Sequence, residues 1–594
     1  MVTGGIRLQR MIGGGKINRP MLYIDTYNQS TLHGIFGTIK ARIDSNCMYF
    51  ISLEHNKDRK EQTMIAQINV KTRECRLFDI RKLSPRECLR LMAVPEHYID
   101  RMMQTTERTY SAISGCEEEL RLLDLADSAT PRDIREAAEQ AILNLKETDR
   151  DDDFEEETTA TDGSPSEAAD HRTAGHPTIG ISLTGDGPVI HPDCIDSVSI
   201  ARIEQARDRL LAAPRVEKTA PVPILANSAL YKLAGNSICA NVLSRIYEEA
   251  LYPTDRRLPT EQPSLFDLPQ FRLERDWQRE PFRLISLCSG YDSQAIALDM
   301  LAQQHPDFRW TLTAWSEFDP ESSRPLDQQP AVVAHRLCFP NAGPNLGDMT
   351  RIDWQDFMHN PQKYYDVKDF ESPDGTGDGY KAGGQNARWQ SPDRIKEGDI
   401  DLLTYSTPCQ SISQAGKREG MAKGSGTRSS VLWSTADAIE ALRPKMLLQE
   451  NVRAIINQQN IRHFRQWMQT VSNLGYENFL APSFTLPGGE RTTASILNSR
   501  DYGIPQNRER MFLVSIRKDL LRGTQYEFPR PFPLTQCIAD VLEPDASPAL
   551  YLKPESVTQF LQNNEDGQQY IYATVSHRPT STQIDALIAE QTTV

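Results

Sequence analysis

Three short stretches carry side chains that could do chemistry together. Leu402-Leu403-Thr404-Tyr405-Ser406-Thr407-Pro408-Cys409-Gln410 is an apolar run ending in Pro-Cys, followed from Ser411 to Lys417 by a loop of Ser, Gly and Lys. It reads as a buried strand that delivers a thiol to a loop. Leu447-Leu448-Gln449-Glu450-Asn451-Val452 is another strand, ending in a carboxylate, and Gln506-Asn507-Arg508-Glu509-Arg510 sets two guanidinium groups before the apolar run 511–516. A thiolate is a nucleophile, a carboxylic acid can protonate a ring nitrogen, and a guanidinium can hold a carbonyl oxygen or a phosphate. Together they are the parts needed to add a nucleophile to a ring and activate it. A lone cysteine is more often an inert core thiol; the company of Cys409 argues against that here.

The elements that must position these groups read as an open α/β sheet. Residues 282–288 form an apolar strand that runs into Ser289-Gly290-Tyr291-Asp292-Ser293 and then a helix over 294–303. Strand, glycine turn and helix is how such sheets hold a ligand at a helix N-terminus. The stretch 310–316 ends in Glu317-Phe318-Asp319, an acid roughly 20–30 residues after the turn, placed to accept hydrogen bonds from ribose hydroxyls. Asn345-Leu346-Gly347-Asp348-Met349 supplies a second acid. Singly each could be a solvated loop acid. At successive strand ends they would form a nucleoside pocket. A helix over 430–442 and a strand over 446–449 continue the alternation.

In this order the Pro-Cys-Gln, Glu-Asn-Val and Gln-x-Arg-x-Arg motifs resemble those of the cytosine-5 DNA methyltransferase family. The resemblance implies that Cys409 adds to carbon 6 of a cytosine, making an enamine that attacks the methyl group of S-adenosyl-L-methionine. Glu450 would protonate or hydrogen-bond ring nitrogen 3, and Arg508 or Arg510 would hold oxygen 2 and the sugar-phosphate. Pro408, Gln410, Asn451 and Gln506 complete the catalytic set. Nearby cations or a helix N-terminus should raise the thiolate fraction of Cys409, and the base must leave the duplex stack. The cofactor set is Ser289, Gly290, Tyr291, Glu317, Phe318, Asp348, Val431, Asn236 and Ser237, with no metal. Where the family has Phe-x-Gly-x-Gly, this chain has Cys288-Ser289-Gly290-Tyr291-Asp292, without the aromatic residue and the second glycine.

Two further segments resemble family motifs but stand before the glycine turn rather than at the far end. Residues 81–91 resemble the ninth motif, with Ser84 as N-cap, Pro85 at the first helical position and Glu87 completing a capping box. Residues 226–243 resemble the tenth, a helix whose small residues Gly235, Ser237 and Ala240 allow close packing. We read the order as a circular permutation. The expected fold is α/β: a doubly wound, mostly parallel S-adenosylmethionine-dependent methyltransferase sheet over 282–529, with a surface insertion at 355–400, and a smaller β-rich target-recognition domain. Residues 1–80 and 530–594 would form that domain together, 81–104 the ninth-motif helix, 221–250 the tenth-motif helix and 251–281 a proline-rich linker.

The totals fit. At 594 residues the chain exceeds the size of one core. The net charge of −15 runs against DNA binding until it is located: residues 116–170 hold 19 acidic against 5 basic residues. The remainder is near neutral and can carry a basic cleft. Residues 105–220 read as an insertion, with helices over 131–146 and 197–213 and an acidic tether over 149–170. The ten cysteines are scattered singly, arguing against a disulfide framework or zinc site. No signal peptide or membrane span is indicated, so a cytoplasmic, DNA-associated protein is expected. Double-stranded DNA is the expected partner, a cognate restriction endonuclease a candidate one, and a monomer the expected state. The competing readings are a tRNA cytosine-5 methyltransferase and a catalytically weak nucleic-acid-binding protein.

Overall fold

The computed structural model describes residues 64–125, 127–152, 192–253, 268–365, 394–409, 411–412, 420–486, 489–544 and most of 570–592, with a few positions between 546 and 558. It also describes the backbone of strands at Leu22–Asp25 (β1), Ser30–His33 (β2), Met48–Ser52 (β3), Ser182–Thr184 and Gly187–Val189. Most of the expected tether and of the 355–400 insertion, Gln410, and residues 413–419 of the loop after Cys409 lie outside the described residues. Two compact units are present, one of residues 105–222 and one of residues 3–104 with 223–594.

The larger unit contains two sheets. In the first, Met64–Asn69 (β4) and Cys75–Arg81 (β5) join β1–β3 and the late strand Tyr570–Val575, and every pairing in this six-stranded sheet is antiparallel. Met64, Ala66 and Ile68 alternate along β4 and pack with Leu77, Ile571 and Ile584, while Ile65 and Gln67 between them are also buried, so both faces of this strand are covered. Both ends of the chain thus share one sheet. After β5 the helix Pro85–Arg90 starts at the capping box read from the sequence: Ser84 accepts from the Glu87 N–H and the Glu87 carboxylate accepts from the Ser84 N–H. Glu87 is fully buried and is held by a two-pronged ion pair with Arg81 at 2.7 and 2.8 Å.

The second sheet has seven strands. Phe282–Leu287, Trp310–Ser316, Leu402–Tyr405 and Met446–Val452 are the first four, which pair parallel. Glu509–Arg517 runs antiparallel to Met446–Val452, to Tyr476–Leu480 and to the short strand Ile496–Asn498. Only Glu509–Arg517 therefore runs against the rest, so the sheet is mostly parallel, as expected from the sequence. Its strands are near-continuous apolar runs because helices cover both faces. Leu284, Leu402 and Leu448 face one buried layer, and Ile285, Leu403 and Leu447 the other. Phe282–Leu287 lies between Trp310–Ser316 and Leu402–Tyr405, so the chain reverses its winding there, and ligands bind at such switch points.

Three local expectations are revised. Asp348 does not close a strand: its segment lies beside Trp310–Ser316 as a single bridge of Asn345 to Trp315, with the Leu346 N–H on the Trp315 carbonyl at 2.7 Å and the Ser316 hydroxyl on the Gly347 carbonyl at 2.7 Å. The approach is too close for a side chain at Gly343, where a Cβ would lie 2.1 Å from the Thr313 carbonyl oxygen. Gly343→Ala is expected to cost more than the usual 1–3 kcal/mol or so of overpacking, visible as a lowered thermal midpoint. The tenth-motif segment is two helices, Asn227–Asn236 and Ala240–Leu251, broken at Ser237 for a reason given below. The expected helix 430–442 is a 3₁₀ turn, Arg428–Ser434, followed by the α-helix Thr435–Leu442.

Residues 105–222, taken alone, pair Thr105–Ile113 with Arg215–Pro223. Their core is Leu120, Leu123, Ile134, Ala138, Ile203 and Leu210, from the helices Glu117–Leu122, Pro131–Asp152 and Pro192–Ala212. The middle helix continues past the expected end at Lys146 because Glu147 and Arg150 are good helix formers. Among the described residues no helix is long and apolar enough to cross a membrane.

Candidate active site

The turn after Phe282–Leu287 keeps the shape of a glycine turn with different residues. Cys288, Gly290 and Asp292 have φ of 53°, 59° and 68°; aspartate is among the side chains that accept the left-handed region. Asp292 caps the helix Ser293–Gln304, accepting from the Ala295 N–H at 3.0 Å. The turn is gripped from the neighbouring strand end, where the Ser289 N–H donates to the Ser316 carbonyl at 3.1 Å and the Gly290 N–H to the Glu317 carboxylate at 2.7 Å. Tyr291 is buried and bonds to the Ser237 hydroxyl.

These residues line a cavity of about 420 Å³, within the range of small-ligand sites. Its walls include all nine residues of the expected cofactor set, together with Pro408, Cys409, Glu450, Asn451 and Arg510. Phe318 is 41% exposed at this cavity, a flat apolar face open to a ligand ring. Asp348 accepts from the Thr350 N–H and hydroxyl at 3.0 and 2.8 Å. Burial pushes the Glu317 carboxyl up to about 7, the Gly290 N–H opposing.

At the other end of the cavity the Pro-Cys loop is pinned on both sides. The Asn451 amide donates to the Thr407 carbonyl at 3.2 Å, and the Ser429 hydroxyl to the Pro408 carbonyl at 2.7 Å. Glu450, 8% exposed, pairs with Arg510 Nε at 3.0 Å. Burial raises the Glu450 carboxyl above its ordinary range, with Arg510 and Arg508 opposing. The Cys409 thiol is also raised: burial outweighs the pull of Arg510, and Glu450 adds to the rise. The expected activation by cations is present but does not dominate in this state.

Two described members of the expected catalytic set, Gln506 and Arg508, do not line the cavity. Gln410 lies outside the described residues. Gln506 is fully buried, and its amide donates to the Leu91 carbonyl at 2.6 Å, just beyond the ninth-motif helix. Arg508, 1% exposed, donates to the carbonyls of Gly235, at 3.0 Å, and Ser237. Those carbonyls stand where the helix Asn227–Asn236 ends and have lost their helical partners; Arg508 satisfies them, which fixes the break. Burial and the Arg510 charge bring Arg508 down to about 9. Of the two arginines, the one on the cavity is Arg510.

The sequence reading missed a rim of ions. Asp319 holds Lys232 at 3.2 Å and Arg428 at 2.7 Å, and all three line the cavity. Lys232 sits four residues before Asn236, one turn along the same helix face, and Asp319 two residues after Glu317; these spacings were the available signal. Among the described residues no cluster of His, Cys, Asp and Glu could hold a metal ion.

The chain is 36% identical over 233 residues to the type II methyltransferase M2.ScrFI of Lactococcus lactis subsp. cremoris, covering 38% of this chain and 59% of that one. It is 40% identical over 121 residues to the orphan methyltransferase M.SssI of Spiroplasma monobiae, covering 20% of this chain and 28% of that one. With the type II methyltransferase M.HhaI of Haemophilus parahaemolyticus it shares 32% over 148 residues, covering 25% and 40%. The chain thus spans between about a quarter and three fifths of the length of these curated relatives. Residues 381–589, which include Cys409, Glu450 and the arginine pair, match the model of the family described as C-5 cytosine-specific DNA methylase.

Proposed function

We propose that this chain is a DNA (cytosine-5-)-methyltransferase, acting on a cytosine flipped out of a specific sequence in double-stranded DNA. The observation that carries the reading is that one cavity is lined by Cys409, Glu450 and Arg510 at one end and by Gly290, Glu317 and Asp348 at the other. S-adenosyl-L-methionine, bound there, supplies the methyl group. Its fit rests on the carboxylates of Glu317 and Asp348, on the exposed face of Phe318, and on the buried Ser289 hydroxyl, which lines the cavity without a protein hydrogen bond.

The chain's own groups then have separable tasks. Cys409 adds to carbon 6 of the base. Glu450, whose hold on a proton burial strengthens, gives a hydrogen bond or proton to nitrogen 3, and Arg510 holds oxygen 2 while keeping Glu450 in place. Arg508 and Gln506 act one layer back, tying the tenth- and ninth-motif segments to the strand that carries Arg510.

The six-stranded sheet built from both chain ends would be the target-recognition domain, and the motif order a circular permutation of the family. The partial coverage supports this: a relative read in ordinary order can align to only one side of the break. The family description favours DNA over tRNA as the substrate. Bisulfite sequencing of DNA from cells expressing the chain tests the reading directly, and DNA left unmethylated at every site would overturn it.

The Glu317 carboxylate adds a pH test. Its ordinary value lies near 4.5 and its value here near 7, so the charged form that accepts ribose hydroxyls is lost as pH falls through about 7. S-adenosylhomocysteine should bind about tenfold more weakly at pH 6 than at pH 8, and Glu317→Gln should flatten that dependence. Calorimetric titration across the range measures it.

A further inference from the structure

Beneath the glycine turn lies a pair of buried side chains that the reaction does not use. Asp292 stands where the family pattern has its second glycine. A glycine there would adopt the left-handed conformation freely, so an aspartate needs a reason beyond shape. Its carboxylate is 0% exposed, and its two oxygens are used differently. Oδ1 accepts from the Ala295 N–H at 3.0 Å and the Ser286 hydroxyl at 3.1 Å. Oδ2 faces His335 Nε2 at 3.2 Å.

His335 is itself 0% exposed, near the end of the helix Pro330–Cys338. Its ring stacks on Trp315 with centroids 3.6 Å apart and planes 8° from parallel, and the Trp315 indole N–H donates to the Gly343 carbonyl at 2.7 Å. Burial lowers the affinity of the imidazole for a second proton, so the neutral ring gives its Nε2 proton to Asp292. Ser286 in turn accepts from the Thr404 hydroxyl at 3.3 Å. The network therefore spans three adjacent strands. Their ends carry Gly290, Glu317 and, after Tyr405, the Cys409 loop.

We infer that Asp292 and His335 are positioning residues that hold the turn 288–292 in its cofactor-receiving shape, taking the place of the missing glycine. The inference rests on the reading of the cavity as an S-adenosylmethionine site. A buried carboxylate stripped of one donor is costly, and the least expensive relief is rotation of Asp292, which moves Gly290 away from Glu317. The Cys409 end is held by other bonds, from Asn451 and Ser429, and is unaffected. Cofactor affinity should therefore depend on the pair, while turnover at saturating cofactor should not.

His335→Phe keeps the ring on Trp315 and removes the donor, whereas His335→Gln returns an N–H at similar reach. With S-adenosylhomocysteine as the calorimetric probe on the full chain, His335→Phe should bind about ten- to a hundredfold more weakly. Its kcat at saturating cofactor should stay within about threefold of wild type, and His335→Gln should recover most of the affinity. Asp292→Ala, which removes both acceptors without supplying the freedom of a glycine, should show at least the loss of His335→Phe and serves if that variant is insoluble. Wild-type affinity in His335→Phe or in Asp292→Ala would overturn the inference. So would a His335→Gln as weak as His335→Phe, or a kcat that falls as far as the affinity. A wild type that binds no S-adenosylhomocysteine would instead overturn the reading of the cavity itself.

Discussion

Cys409→Ser should abolish methyl transfer and leave no covalent complex with DNA carrying 5-fluorocytosine at the target. Fluorine on carbon 5 cannot leave as a proton does, so wild-type protein should remain joined to the base through denaturation. The expected effect is a loss to background, because serine at this position lacks both the thiolate and a base to make an alkoxide. The fold should persist: Cys409 is held by its neighbours Thr407 and Pro408 through their carbonyls, not by its own side chain. The serine variant is thus expected to bind S-adenosylhomocysteine normally. An adduct formed equally by wild type and Cys409→Ser, seen as a shifted band on a denaturing gel, would contradict the assignment.

Glu450→Gln should lower kcat by about 10²–10⁴, the usual contribution of a positioned general acid. The amide matches the carboxyl in shape but cannot deliver a proton to nitrogen 3. It also leaves Arg510 without its carboxylate partner at 3.0 Å, so oxygen 2 loses part of its anchorage. Glu450 is raised by burial, and the protonated form is the active one. Wild-type kcat should accordingly fall as pH rises through the raised value, and Glu450→Gln should lack that limb. A glutamine variant with unchanged kcat in single-turnover assays would remove Glu450 from the reaction.

How much of this could be read from the chain alone depends on distance along it. The capping box at Ser84 and Glu87 was legible because all its parts lie within four residues. The parallel strands were legible because burial on both faces leaves apolar runs that few other structures require. Cys409, Glu450 and the pair Arg508 and Arg510 could be grouped because each stands near a strand end marked by such a run, but which arginine reaches the cavity could not be read from the chain. What escaped is set by partners far away. The break at Ser237 answers Arg508, 271 residues on, and nothing local announces it. Gln506 looks like a site residue in its motif, yet its amide belongs to Leu91, 415 residues earlier. The second carboxylate oxygen of the left-handed aspartate at 292 faces His335, on another helix 43 residues on.

The sheet that joins the two chain ends has a consequence for synthesis. The amide of Gln67 in β4 reaches the hydroxyl of Tyr572 at 3.0 Å, across 505 residues. A ribosome adding about 5–20 residues per second leaves that edge of β4 waiting roughly 25–100 s for its neighbour. During that time Met64, Ile65, Ala66 and Ile68, all buried in the finished protein, border an unpaired row of backbone donors and acceptors, the geometry that recruits strands from other chains. The nascent chain is therefore most exposed to misassembly at its oldest strands rather than its newest. Supplying the last strand early, or sheltering the first ones, is where a chaperone would have the greatest influence on yield.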